Sequence, residues 1–142
     1  MNDILINKMA TIQRCLKRIN EEFNSEQPNS DKEFRLNFTK QDSVVLNLQR
    51  ACEASIDIAN HIIKSRQLGV PQAARDSFQL LAQNQCILQS TAESLKKMVG
   101  LRNIAVHDYQ ALNIDIVIAV VRYHLQDFEL FCSEIKMLEQ QA

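Results

Sequence analysis

Polar and titratable side chains are concentrated in one short segment, residues 98–109, which reads MVGLRNIAVHDY. It contains Arg102, Asn103, His107, Asp108 and Tyr109. A histidine that titrates near neutrality can move a proton, and an arginine can stabilise the charge that builds on phosphate oxygens. These residue types in one segment favour chemistry on a phosphate group.

Helical geometry limits how closely the arginine and the histidine of this segment can act together. On one helix, Arg102 and His107 are separated by about 140° around the axis and by roughly 7.5 Å along it. The long arginine side chain and a fraying last turn would let both address one phosphate. The same residues also suit a solvated Arg102, a His107 at the negative end of a helix dipole, and a Tyr109 packed as an aromatic edge. From the residues alone, both interpretations stay open.

Other catalytic signatures are missing from the sequence. There is no glycine-rich phosphate loop, no HExxH, no GxSxG and no dinucleotide fingerprint. The four cysteines are far apart and form no CxxC pair, so we expect reduced, buried thiols and neither a metal site nor a cofactor. The net charge of -1 excludes a broad basic surface, so any contact with RNA must be local.

Composition and periodicity predict the elements that position this segment. With two glycines, two prolines and 46% apolar residues, the 142 residues should form one all-α domain, residues 1–142. Apolar residues at spacings of three and four predict about five helices, which can bury their stripes only against one another in an antiparallel bundle. The predicted helices are 2–24, 41–65, 71–82, about 90–107, and 113 almost to the end, with residues 25–34 as a loop.

Local signals predict where several of these helices begin and end. Gly69 is a candidate helix terminator, and Pro71 is a candidate first helical residue. Ser90 and Glu93 fit a capping box, and Asn113 is a candidate N-cap. The N-terminus is charged throughout and no apolar run could span a bilayer, which predicts a cytoplasmic protein with no membrane partner.

Two segments of the chain resemble a known family. Residues 102–109, RNIAVHDY, resemble the Arg-polar-x3-His motif of HEPN domains, extended by x-Tyr as in HepT-like toxins paired with minimal nucleotidyltransferase (MNT) antitoxins. Residues 37–54 are similar to the second helix of that family, and the total length agrees. The resemblance therefore covers most of the chain.

The resemblance implies a toxin that is a metal-independent endoribonuclease of a type II toxin–antitoxin system. It implies a homodimer in which two motif-bearing helices meet at a two-fold axis, so that Arg102 and His107 of both copies line one cleft. The ribose 2′-hydroxyl would attack the adjacent phosphate, leaving a cyclic phosphate and a free 5′-hydroxyl. A non-catalytic HEPN module that binds nucleotide, RNA or a protein partner is the alternative.

The family pattern also suggests roles for individual residues. Arg102 and His107 would be catalytic, and Tyr109 matches the position that related antitoxins modify with adenylyl groups. Such a group would place bulk and negative charge beside Arg102 and block RNA phosphates. The remaining candidates are supporting residues and local RNA-binding cations: Asn103, Asp42 and Glu53 for support, and Lys96, Lys97 and Arg50 for RNA.

Overall fold

The computed structural model of the protein describes residues 1–24 and 26–141. That part of the chain contains seven α-helices, one 3-10 turn and no strand, which confirms the predicted all-α fold. The helices are α1 (Asp3–Glu22), α2 (Ser30–Leu36), α3 (Phe38–Arg66), α4 (Ala74–Gln83), α5 (Gln89–His107), α6 (Ile114–Tyr123) and α7 (Gln126–Gln140). The 3-10 turn, Tyr109–Ala111, lies between α5 and α6.

The apolar stripes are buried against one another, as the spacing predicts. α1 and α3 pack antiparallel, as shown by Lys8 near the start of α1, which pairs at 2.9 Å with Asp57 in the second half of α3. Phe78 of α4 and Phe131 of α7 meet edge to face in the core, with ring centroids 5.6 Å apart. All four cysteines are unpaired and buried, which confirms that part of the prediction. None of the helices in the described ranges is long and apolar enough to span a membrane.

The predicted loop 25–34 is wrong in its second half, where α2 begins at Ser30. Its first residue, Ser25, lies outside the described residues. Phe34 of α2 is 1% exposed and packs edge to face on Phe23, with ring centroids 5.1 Å apart. The burial of this one aromatic side chain offsets the loop-forming composition around it.

The boundary between α3 and α4 differs from the prediction. α3 ends at Arg66, and the left-handed residue that terminates it is Gln67 (φ 56°), because the amide of Leu68 donates to the carbonyl of Ile63. Gly69 lies beyond this cap. α4 begins at Ala74 and not at Pro71, since the carboxylate of Asp76 accepts the free amides of the two residues before the helix.

The predicted capping box at Ser90 and Glu93 does not form. The start of α5 is held instead by Glu134 of α7, whose carboxylate accepts the amide of Leu88 and the hydroxyl of Thr91, each at 2.6 Å. Glu93 accepts from side chains of its own helix. A carboxylate from another helix therefore accepts one amide and one hydroxyl at the start of α5, where a local cap was predicted.

The predicted last helix is broken into α6 and α7 at His124 and Leu125. Asn113 caps α6 as predicted, because its side chain accepts the amide of Asp115 at 2.8 Å. The break lets α6 pair with α2, through Arg122 and Asp31, while α7 packs on α5 and α1. One apolar rhythm therefore serves two helices that bury their stripes in different directions.

Candidate active site at the end of helix α5

The segment that is rich in titratable side chains lies where α5 ends. The last helical residue is His107, and the amide of Asp108 donates to the carbonyl of Ile104 at 2.8 Å. The side chain of His107 is exposed, as are its apolar neighbours Ile104 (43%) and Val106 (44%). A histidine at this position is open to a ligand from solvent.

Arg102 lies on the opposite side of α5, half-buried between α5 and α3. It borders a narrow apolar gap beside Leu48, and it is close enough to the buried Cys52 to affect the pKa of that thiol, which burial raises to about 12. Its Nη1 donates to Oδ1 of Asn103 at 2.9 Å. Its Nε is shielded from solvent and has no hydrogen-bond partner among residues 1–24 and 26–141. A buried unpaired donor costs about 1–3 kcal/mol, so its presence here needs an explanation other than stability.

Tyr109 opens the 3-10 turn that follows α5 and bonds to α3. Its hydroxyl donates to Oδ1 of Asp42 at 2.5 Å. Burial and the bond to the Asp42 carboxylate raise the pKa of Tyr109 from 10.0 to about 12. The phenol is therefore neutral at physiological pH, and the residue as a whole is still 42% exposed. Two residues that the sequence analysis named separately are thus in direct contact.

The structure does not bring the other candidates together around Arg102 within one chain. Lys96 pairs with Glu93 at 3.1 Å and also donates to Gln79 of α4. Lys97 lines a cavity of about 260 Å³ between α5 and α6–α7. Arg50 is exposed and lies near Cys15 of α1. Glu53 is half-buried next to Cys52 and has no ion pair in the part of the chain that is described.

One cation near α5, Arg75, was not predicted from the sequence as a site residue. Arg75 of α4 places its Nη2 only 2.8 Å from where a Cβ at Gly100 would lie. The only sequence signal for this contact is a glycine inside a long helix. Within the described ranges, no group of three or more histidine, cysteine or acidic side chains could hold a metal ion.

Structural comparison defines the class of protein. The chain superimposes with a TM-score of 0.89 on a tri-AMPylated HEPN toxin of Shewanella oneidensis, solved in complex with its MNT antitoxin. The two chains are 61% identical, over 96% of this chain and 99% of that one. The fold is also shared with YutE of Bacillus subtilis, at a TM-score of 0.71 and 16% identity. The bundle is therefore of the HEPN class.

Sequence comparison then gives the family. Residues 12–135 match the family described as Ribonuclease HepT-like. The chain is 62% identical over 136 residues to the mRNA nuclease HepT of Shewanella oneidensis, covering 96% of this chain and 98% of that protein. It is 28% identical over 88 residues, 62% of this chain and 60% of that protein, to the tRNA nuclease HepT of Aphanizomenon flos-aquae. The chain belongs to the HepT-like ribonuclease family, which confirms the inferred family and its class of activity.

Proposed function

We propose that the chain cuts mRNA as a homodimer, using Arg102 and His107 of both copies, and that an MNT antitoxin silences it by adenylylating Tyr109. The observation that carries the catalytic part is Arg102, whose buried Nε is unpaired among the described residues next to an exposed helix end. The choice of mRNA over tRNA rests on the relative that is 62% identical.

The proposed reaction is a transesterification that needs only a base, an acid and a cation. His107 removes the proton of the ribose 2′-hydroxyl, and the 2′-oxygen attacks the adjacent phosphorus. The bond from phosphorus to the 5′-oxygen breaks, and that oxygen takes a proton from His107 of the partner subunit. Arg102 stabilises the charge that builds on the other phosphate oxygens. The products are a 2′,3′-cyclic phosphate and a free 5′-hydroxyl.

The geometry of one chain supports a composite site. Arg102 lies between α5 and α3, whereas His107 is exposed about 140° away around the helix. A second copy would supply the groups that one chain holds apart. The exposed apolar side chains of Ile104 and Val106 flank His107 and suit an interface across the end of α5.

Asn103 and Asp42 have supporting roles in this proposal. Asn103 accepts Nη1 of Arg102 and so limits where the guanidinium can point. Asp42 accepts the hydroxyl of Tyr109 and holds the turn after α5 against α3. Both contacts orient groups that border the proposed cleft.

The same contact explains how adenylylation would silence the toxin. An adenylyl group replaces the phenolic hydrogen of Tyr109, so the bond to Asp42 is lost. The new phosphate also brings a negative charge beside the Asp42 carboxylate, and the repulsion would move the turn away from α3. That phosphate then competes with RNA for Arg102.

Cleavage is tested with purified wild-type and His107→Ala proteins incubated in EDTA with a defined mRNA and, separately, with tRNA. We expect discrete wild-type cuts in the mRNA that end in cyclic phosphate, and none from His107→Ala. His61→Ala is the matched control, since His61 contacts Asn2 at the far end of α3. Intact RNA with wild-type protein would contradict catalysis and favour the non-catalytic binding module.

Modification is tested by intact mass after coexpression with the MNT antitoxin. The chain has two tyrosines, so Tyr123→Phe is a matched control for Tyr109→Phe. We expect adenylyl mass on wild-type and Tyr123→Phe proteins and none on Tyr109→Phe. Adenylyl mass that persists in Tyr109→Phe would contradict the assigned acceptor.

A further inference from the structure

Arg75 differs from three other arginines whose guanidinium groups reach another helix. Arg35, Arg66 and Arg122 each end on a carboxylate of another element. Arg75 has no ion-pair partner among residues 1–24 and 26–141, although it crosses from α4 to α5. Its guanidinium thus keeps its charge and its donors available for an anion.

Gly100 is what allows this arginine to lie on α5. A Cβ at position 100 would stand 2.8 Å from Nη2 of Arg75, closer than such atoms approach in proteins. Glycine is the poorest helix former after proline, so its place inside the 19 residues of α5 needs a reason. The bare backbone at Gly100 provides room for the guanidinium.

Arg75 contacts the same face of α5 that carries His107. Helix geometry puts Asn103, Ile104 and His107 within about 60° of Gly100 around the axis. His107 lies roughly 10.5 Å further along, two turns toward the end of the helix. An RNA strand held at His107 and followed along this face therefore reaches the Arg75 guanidinium.

We propose that Arg75 binds an RNA phosphate next to the one that is cut, and so extends the binding site along α5. This inference rests on the proposed RNA-cleaving function. Arg75 takes the place of Lys96 as an RNA-binding cation, because the Lys96 ammonium is bound by Glu93 and Gln79. The chain as a whole has a net charge of -1, so RNA binding depends on local positive charge such as that of the exposed Arg75.

The test measures binding of a labelled single-stranded RNA by the His107→Ala protein, which leaves the RNA intact, over a series of salt concentrations. Adding Arg75→Ala should weaken binding by up to about fivefold at low salt, as expected for one solvent-exposed ion pair. The slope of log affinity against log salt should become shallower by roughly 0.7, the value for one phosphate contact on a single strand. Arg18→Ala, an exposed arginine on α1, is the matched control and should change neither quantity.

Gly100→Ala provides a second, independent variant. Its new Cβ should shift the guanidinium and weaken binding, by less than Arg75→Ala does because the arginine is flexible, while leaving the helical circular dichroism unchanged. In a protein that already carries Arg75→Ala, the same change should have no further effect. Additive losses in the double variant would overturn the proposed contact.

The outcomes separate this inference from the function on which it rests. RNA binding with unchanged affinity and salt slope in Arg75→Ala would overturn the role of Arg75 and leave the RNA-cleaving function standing. Weaker binding with an unchanged slope would also overturn it, since no phosphate contact would have been lost. Failure of the parent protein to bind RNA would overturn both proposals.

Discussion

Replacing Arg102 by methionine should abolish RNA cleavage and at the same time make the protein more stable. The structure gives the reason, because Nε of Arg102 is buried and unpaired among the described residues. Methionine keeps an unbranched apolar chain in the narrow gap between α5 and α3 and removes the guanidinium. The change therefore removes a polar group that lowers stability and retains most of the packing.

Two opposing contributions set the size of the gain. Relief of the buried, unpaired donor contributes about 1–3 kcal/mol. The lost bond from Nη1 to Asn103 costs about 0.5–1.5 kcal/mol, the usual net value of such a bond. Arg102→Met should thus raise the free energy of unfolding by about 1 kcal/mol. Arg102→Ala should show no gain, because it also removes the apolar stem that packs in the gap.

Urea unfolding followed by circular dichroism measures the effect, at one fixed protein concentration for all variants. Arg122→Met is the matched control, since Arg122 is also half-buried but its guanidinium is paired with Asp31 and the Ser30 hydroxyl. That variant should gain no stability. If Arg102→Met were less stable than wild type by more than about 1 kcal/mol, Arg102 would be a structural residue and the argument from its unpaired Nε would fail.

Four further predictions follow from contacts between elements and from the burial of the thiols. Glu134→Ala should lower the free energy of unfolding by about 1–3 kcal/mol in urea, because it leaves the buried Thr91 hydroxyl unpaired and removes the bond to the Leu88 amide before α5; a loss below about 0.5 kcal/mol would contradict this cap. In a Tyr123→Phe protein, Tyr109 is the one tyrosine, so ultraviolet titration reports its pKa alone. Asp42→Asn should lower this pKa from about 12 toward 10.0. The pKa should stay above 10.0, because the phenol is still partly buried. The same raised pKa predicts that the free energy of unfolding decreases as pH rises from 10.0 toward 12, since the unfolded chain loses the phenolic proton first. An unchanged pKa of Tyr109 in the Asp42→Asn protein would disprove the contact. Finally, a thiol reagent should react with the cysteines only after unfolding, because burial raises the pKa of all four thiols, and fast reaction of the native protein would show an open cysteine.

The sequence predicted the helical class and the location of the titratable segment correctly. Apolar residues at spacings of three and four require a helix that buries one stripe, and the long stripes of α1 and α3 leave few other solutions. The end of α5 at His107 and the cap at Asn113 also follow from local residue types. Such features depend on neighbours within a few positions of the chain, so they can be read from the chain itself.

The contacts that decide the site are between residues far apart in sequence, and only the tertiary structure brings them together. Asp42 holds Tyr109 across 67 positions, and Glu134 replaces the local cap predicted for α5. The sequence does not explain a glycine inside α5. The structure does, because Arg75 of α4 occupies the space that a side chain at position 100 would need. The unpaired Nε of Arg102 likewise depends on which helices enclose it. Helical periodicity gives the face on which a side chain lies, but not which groups the facing helix places against it.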